Sequence, residues 1–103
     1  MERTTAKKVI AIVEAPHLKR LVALLRECGV SGFTVIEGRE GSGLTGDWSR
    51  DDLMAATEMK IVHSVMAIST ADLVFEKTES FFQRYPGIIY GYEVEVVRAE
   101  RFN

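Results

Sequence analysis

Apolar positions along the chain keep two different periods in turn. Residues 8–13 read KVIAIV, a short β-branched run of the kind buried on both faces of a sheet. Pro16 then suits the first turn of a helix, where its missing N–H costs nothing. Leu18, Leu21, Val22 and Leu25 follow at i, i+3, i+4 and i+7, while Lys19, Arg20, Arg26 and Glu27 take other faces, the pattern of an amphipathic helix. Gly29 stands where a left-handed residue would end it, and residues 32–37 (GFTVIE) resume a strand. The second half repeats the order. Residues 59–66 predict a strand with Met59, Ile61, His63 and Val65 on one face. Ser69 and Thr70 offer N-caps, with Asp72 in the first helical turn. Ala71, Val74, Phe75, Thr78 and Phe82 mark one face of that helix, and Pro86-Gly87 closes it. Residues 88–97 predict a long last strand with Ile88, Tyr90, Tyr92, Val94 and Val96 on one side.

The order is therefore βαββαβ over a single domain, residues 1–103. Two right-handed βαβ units with interleaved strands predict a ferredoxin-like α+β fold: a four-stranded antiparallel sheet with two helices on one face. That layout leaves the other face bare, although the first and last strands are apolar on both sides. An uncovered face carrying Ile and Val asks for a partner, most simply another copy of the chain.

Residues 38–57 (GREGSGLTGDWSRDDLMAAT) interrupt the pattern. About twenty residues join two strands that a turn would connect, and loops beyond roughly 12–15 residues are uncommon unless functional or disordered. Gly38, Gly41, Gly43 and Gly46 make its first half pliant, and it holds the only tryptophan, Trp48. The segment is either a flexible insertion or one that orders on a ligand or partner. Charge and composition narrow the choice of partner. Thirteen Lys and Arg against fifteen Asp and Glu leave a formal charge of -2, no footprint for non-specific nucleic-acid or anionic-membrane binding. One cysteine, Cys28, excludes an intrachain disulfide and fits a reducing cytosol. No run approaches the roughly twenty apolar residues that span a bilayer, and no signal-peptide core follows the charged residues 1–8, so a cytoplasmic location is expected.

No catalytic constellation is visible, and the expectation is a protein that is not an enzyme. His17 and His63 lie far apart with no H-x-x-x-H or C-x-x-C spacing, so no metal site is expected. His63, on an apolar strand face, reads as a core or interface histidine. Cys28 follows a helix C-terminus and lacks the positive helix end that activates a thiol. Phosphate binding has more support. Gly41-Ser42-Gly43 can present successive backbone N–H groups to an anion, with Arg39 just before it. Arg98 and Arg101 follow the last strand, and guanidinium forks suit phosphate oxygens; the alternative is a pair of surface arginines balanced by Glu95 and Glu100.

Gly29-Val30-Ser31-Gly32-Phe33-Thr34-Val35, after an Arg/Leu-rich helix and before a long pliant loop, resembles the second-strand signature of PII signal-transduction proteins. The order of elements follows that family over roughly residues 8–102, with residues 38–57 in the place of its T-loop. Pro86-Gly87-Ile88-Ile89-Tyr90 is more similar to the PII-like branch associated with carboxysomes and bicarbonate transport. The resemblance implies a homotrimer, sheets inward, with adenine nucleotides in the clefts between subunits. It places adenine near Ile12, Gly32, Phe33 and Thr34, with Val62 and Ser64 of the neighbouring subunit closing the other side. Phosphates would meet Arg39, Gly41, Ser42 and Gly43. Gly87, Ile88 and Ile89 stand at the family's second loop, Arg98 at a basic position of the last strand, and Arg101 is added on charge alone.

Departures from the family narrow the ligand. The second loop, long and rich in Gly and Lys elsewhere in the family, is reduced here to Arg84-Tyr85-Pro86-Gly87, which weakens the advantage of a third phosphate. Glu58 takes the place of a lysine that helps hold 2-oxoglutarate, and the loop lacks the tyrosine that nitrogen-sensing members have uridylylated. ADP or AMP is favoured, with cyclic AMP and ATP as further candidates and bicarbonate as a second small anion. The partner expected is a bicarbonate transporter or carboxysome component, with Leu44 and Trp48 as its contacts. Alternatives are a trimeric interaction module that needs no ligand and a nitrogen-regulating PII protein. An RNA-binding sheet and a metal-tolerance-like trimer fit less well, for want of basic–aromatic strand motifs and of His and Cys.

Overall fold

The computed structural model is described over residues 2–43, 46–49 and 58–97, with the side chains of residues 40, 42, 43 and 46–49 left aside. Strand β1, Arg3–Glu14, starts well before residue 8. Its first residues earn strand geometry by pairing with the end of β6, Gly87–Val97, in an antiparallel register from Arg3 opposite Val97 to Val13 opposite Gly87. On its other edge β1 pairs antiparallel with β5, Met59–Met66, and β5 pairs with β2, Thr34–Glu37. The sheet order is β2-β5-β1-β6. Between the strands lie a 3-10 turn, Ala15–His17, running into α1, Leu18–Glu27, and later α2, Ile68–Arg84. The expected βαββαβ ferredoxin-like fold is the one observed.

One face of the sheet meets both helices. Val9, Ala11 and Val13 of β1 and Val62 and Met66 of β5 pack with Leu21 and Leu25 of α1 and Ala71, Val74 and Phe81 of α2. Burying an aliphatic side chain of this kind contributes about 1.5–3 kcal/mol. Thr78 is fully buried among them, and its hydroxyl donates to the Val74 carbonyl at 2.7 Å, so no polar atom is stranded there. Helix α1 ends as expected at Gly29, whose φ is +89°. The Gly29 N–H donates to Arg26 O and the Val30 N–H to Leu25 O, both at 3.0 Å, which closes the two-bond glycine cap.

Three expectations change. Helix α2 begins at Ile68 on Ala67 as N-cap, without a side-chain cap, so Ser69 and Thr70 lie inside the first turn and Asp72 falls beyond it. Phe81, missing from the expected helical face, is the buried aromatic of that helix, while Phe75 and Phe82 pack against the core partly buried. Residues 38–57 are not loop throughout: β3, Glu40–Gly43, and β4, Gly46–Ser49, form a two-stranded hairpin in which Gly41 faces Trp48. Glycine-rich sequence hid this hairpin, because its strands carry no apolar alternation to read.

The second face of the sheet is bare, as the residue pattern predicts. Alternation and register place cross-strand rows on it: Ile36, Ile61, Ile12 and Ile88, then Thr34, His63, Ile10 and Tyr90, then Val65, Lys8 and Tyr92. Ile36, Ile88, Tyr90 and Tyr92 are each more than 40 % exposed.

Candidate ligand cleft at the head of the edge strand

The cleft is built from the chain that leaves the glycine cap of α1. Val30 is buried and anchors that chain to the core, and Ser31-Gly32-Phe33 then lead into β2. Ser64, 5 % exposed on β5, donates its hydroxyl to the Gly32 carbonyl at 2.6 Å and pins the lead-in against the sheet. The Arg26 guanidinium sits 5.6 Å from the Phe33 ring centre and holds that ring from the α1 side. Between these groups opens a cavity of about 390 Å³. Its walls are Ser31 to Thr34 from the lead-in, Lys8 from β1, and His63, Ser64 and Val65 from β5.

A phenyl ring, three hydroxyl groups, an ammonium and an imidazole thus converge on one space. That mixture suits a flat, partly apolar molecule held by its ring face and its polar edge. Among the described residues no group of three His, Cys, Asp or Glu stands where it would hold a metal ion.

The expected site residues divide into several sets. Gly32, Phe33, Thr34 and Ser64 meet in this cavity, and they do so within one chain, because β2 and β5 are hydrogen-bonded neighbours. Ser64, expected to close the adenine site from a neighbouring subunit, lines this cavity in the same chain as Gly32. Val62 is 2 % exposed with its side chain in the helix-side core, so it offers the cavity no side chain. Ile12 lies on the bare face, two residues along the strand from the row of Thr34 and His63. Arg39, Gly41, Ser42 and Gly43 follow the far end of β2, beyond about 13 Å of extended chain.

Gly87, Ile88 and Ile89 belong to β6, at the opposite edge of the sheet from β2. Gly87 has φ +136°, and a Cβ there would run into the Ile12 carbonyl oxygen, so that corner requires glycine. Ile88 is exposed on the bare face, whereas Ile89 packs into the helix-side core and turns away from it. Leu44, Arg98 and Arg101 lie outside the described residues, and for Ser42, Gly43 and Trp48 only the backbone strands are described.

Sequence reasoning missed Lys8, Ser31, His63 and Val65 as cavity residues. A signal was present: Lys8 is the cation that opens an otherwise apolar run, and the register sets it opposite Val65, beside His63. At the far end of the sheet Lys60 bonds Glu37 at 3.0 Å and lies 3.6 Å from Glu58. The bond to Glu37, aided by the charges of Glu37 and Glu58, holds the Lys60 ammonium above the usual lysine range despite some desolvation. Glu58 thus belongs to an ion-pair cluster at the foot of residues 38–57. Burial, and then the charge of Glu27, push the Cys28 thiol up, which suits a packing residue rather than a nucleophile.

Fold and cleft together define a ferredoxin-like sheet domain with one covered and one bare face and a ligand-sized cavity at its β2 edge. A model of the family described as nitrogen regulatory protein P-II matches residues 6–101, and the chain belongs to that family. CPII, a nitrogen regulatory PII-like protein from Thiomonas intermedia K12, is similar in its structure bound to ADP, AMP and bicarbonate: TM-score 0.87, 20% identity, 98% of this chain and 96% of that one. Its apo form superimposes with TM-score 0.75 at 18% identity over 92% of this chain and 95% of that one. The B. subtilis GlnK–ATP complex matches at TM-score 0.62 and 20% identity, over 87% of this chain and 82% of that one. At these identities the likeness establishes the shared fold.

Proposed function

We propose that this protein is a PII-like signalling regulator that binds adenine nucleotides, ADP or AMP in preference to ATP, at clefts between the subunits of a homotrimer. The observation that carries the reading is the cavity at Ser31 to Thr34, open beside an apolar sheet face that a single chain leaves uncovered. Membership of the P-II family and the resemblance in fold to CPII, which was solved with ADP, AMP and bicarbonate, support it. In this reading Gly32, Phe33, Thr34 and Ser64 receive the base. Gly87 and Ile88, at the other edge of the sheet, reach a cleft only when a second chain brings them there. Arg39, Gly41, Ser42, Gly43, Arg98 and Arg101 are assigned to the phosphates, and bicarbonate is the second ligand.

The mechanism is signalling without turnover. A nucleotide that makes contacts in only one arrangement of residues 38–57 favours that arrangement by its differential affinity. Shifting such an equilibrium from 1:99 to 99:1 takes about 5.5 kcal/mol, and charge-assisted hydrogen bonds supply about 1.5–3 kcal/mol each. Leu44 and Trp48 would then meet a protein partner, for which a bicarbonate transporter or carboxysome component is the working choice. Calorimetry with ADP, AMP, cyclic AMP and ATP, each with and without bicarbonate, tests the reading. ADP or AMP should bind with micromolar affinity at one site per chain. Absence of heat with every nucleotide would leave the alternative, a trimeric interaction module that needs no ligand.

A further inference from the structure

A second cleft lies in the helical layer, on the side of the sheet opposite the bare face. It opens between α1 and the end of α2, holds about 380 Å³, and is lined by Arg20, Leu24, Ser80, Phe81, Arg84 and Tyr85. Tyr85 is its hub. The ring stacks on His17 with centroids 4.1 Å apart and leans on Phe81 at 4.9 Å, so it is fixed from two sides. The guanidinium carbons of Arg20 and Arg84 lie 5.1 and 5.4 Å from the centre of the same ring.

This arrangement gathers two cations around one aromatic ring, and among the described residues it supplies no anion. Contact with the ring engages the π-face and leaves the guanidinium N–H donors for an acceptor. Among the described residues the carboxylates in ion pairs are Glu14, Glu37, Glu58 and Glu95, and none of them is paired with Arg20 or Arg84. Glu14, which touches the stack through His17, faces His17 Nε2 at 3.8 Å. Among the described residues no carboxylate lines the cleft. Both arginines line the same cleft, and guanidinium forks match carboxylate and phosphate oxygens.

We propose that the cleft between α1 and α2 is an anion site that takes a carboxylate- or phosphate-bearing group between Arg20 and Arg84, with the Tyr85 ring as its wall and the Ser80 hydroxyl as a neutral donor. The site shares no lining residue with the cavity at Ser31 to Thr34, although Arg84 and Tyr85 open the short second loop. Because it faces away from the bare sheet face, burial of that face against other copies leaves it open. The oxyanion comes either from a free small molecule or from an acidic side chain of a protein partner.

Two-dimensional ¹H–¹⁵N NMR of the full chain, including the arginine Nε–Hε signals, tests the site at constant ionic strength. Inorganic phosphate and a blocked tetraglutamate peptide serve as the two probes. At least one should shift the Arg20 and Arg84 side-chain signals and the Tyr85 amide along a saturable curve, and the tighter probe names the source. The double variant R20Q/R84Q, confirmed as folded by circular dichroism, should weaken that binding about tenfold or more. Straight, unsaturating shifts with both probes, or curves unchanged in the double variant, would overturn the proposal. Nucleotide binding reads separately at the Thr34 and Ser64 amides, so failure at one site is distinguishable from failure at the other.

Discussion

The two faces of the central sheet are made by the same strands and are nearly equally apolar, yet only one is covered. Along β1, Val9, Ala11 and Val13 point to the helices while Ile10 and Ile12 point to the bare side. Along β6, Ile89 enters the core whereas Ile88, Tyr90 and Tyr92 stand exposed. A sheet evolved to show one face to water would alternate apolar with polar residues. Apolar residues on both sides therefore leave this chain with an exposed apolar face of the kind that marks an interaction surface. The covered face makes the protein stable; the bare face, with the cavity at its β2 edge, gives the family reading its physical basis.

Substitutions on each face break this comparison in different ways. Tyr90→Glu should have the largest effect, since a carboxylate buried without a partner costs about 3–5 kcal/mol. The variant should keep its helical circular dichroism and sediment as single chains; an unchanged assembly would show that the bare face lies outside the interface. Leu21→Ala, on the fully buried side of α1, should cost about 2–5 kcal/mol of unfolding free energy in urea and leave the assembly intact while the protein stays folded. Equal losses of assembly in both variants would erase the distinction between the faces.

Smaller effects sharpen the account of the cleft. Ser64→Ala removes the hydroxyl that donates to Gly32 O and should cost about 1 kcal/mol. It should weaken ADP binding by severalfold, whereas Ser64→Thr should restore part of it. Lys60 gives the smallest effect. Its raised pKa means that pairing with Glu37 stabilises the fold from above the carboxylate range up to the ordinary lysine range, and that this contribution fades as pH climbs through the raised value. Thermal melts of Lys60→Met should accordingly differ from those of the natural protein at neutral pH and converge with them in strongly alkaline buffer.

Much of this was legible in the residue pattern, for identifiable reasons. Periods of two and 3.6 placed the four strands of the main sheet and both helices, and Gly29 marked the end of α1, because burial on the helix side enforces those periods. Alternation in Ile88, Tyr90 and Tyr92 announced the bare face. The start of β1 at Arg3 was hidden, since Arg3 and Thr4 take strand geometry from pairing with Val97 and Val96 rather than from their own preferences. The cavity was half legible. Gly32, Phe33 and Thr34 carry a family-like string, whereas Lys8 and His63 reach the same space only through cross-strand register, which no local window contains. The Arg20–Tyr85–Arg84 cluster joins two helices from opposite halves of the chain and leaves no linear signature.

Sedimentation velocity of the natural protein at micromolar concentration tests the central claim most directly. The account predicts one species with the mass of three chains, held together through the bare sheet face. A single chain that persists at every concentration, with and without ADP, would contradict it.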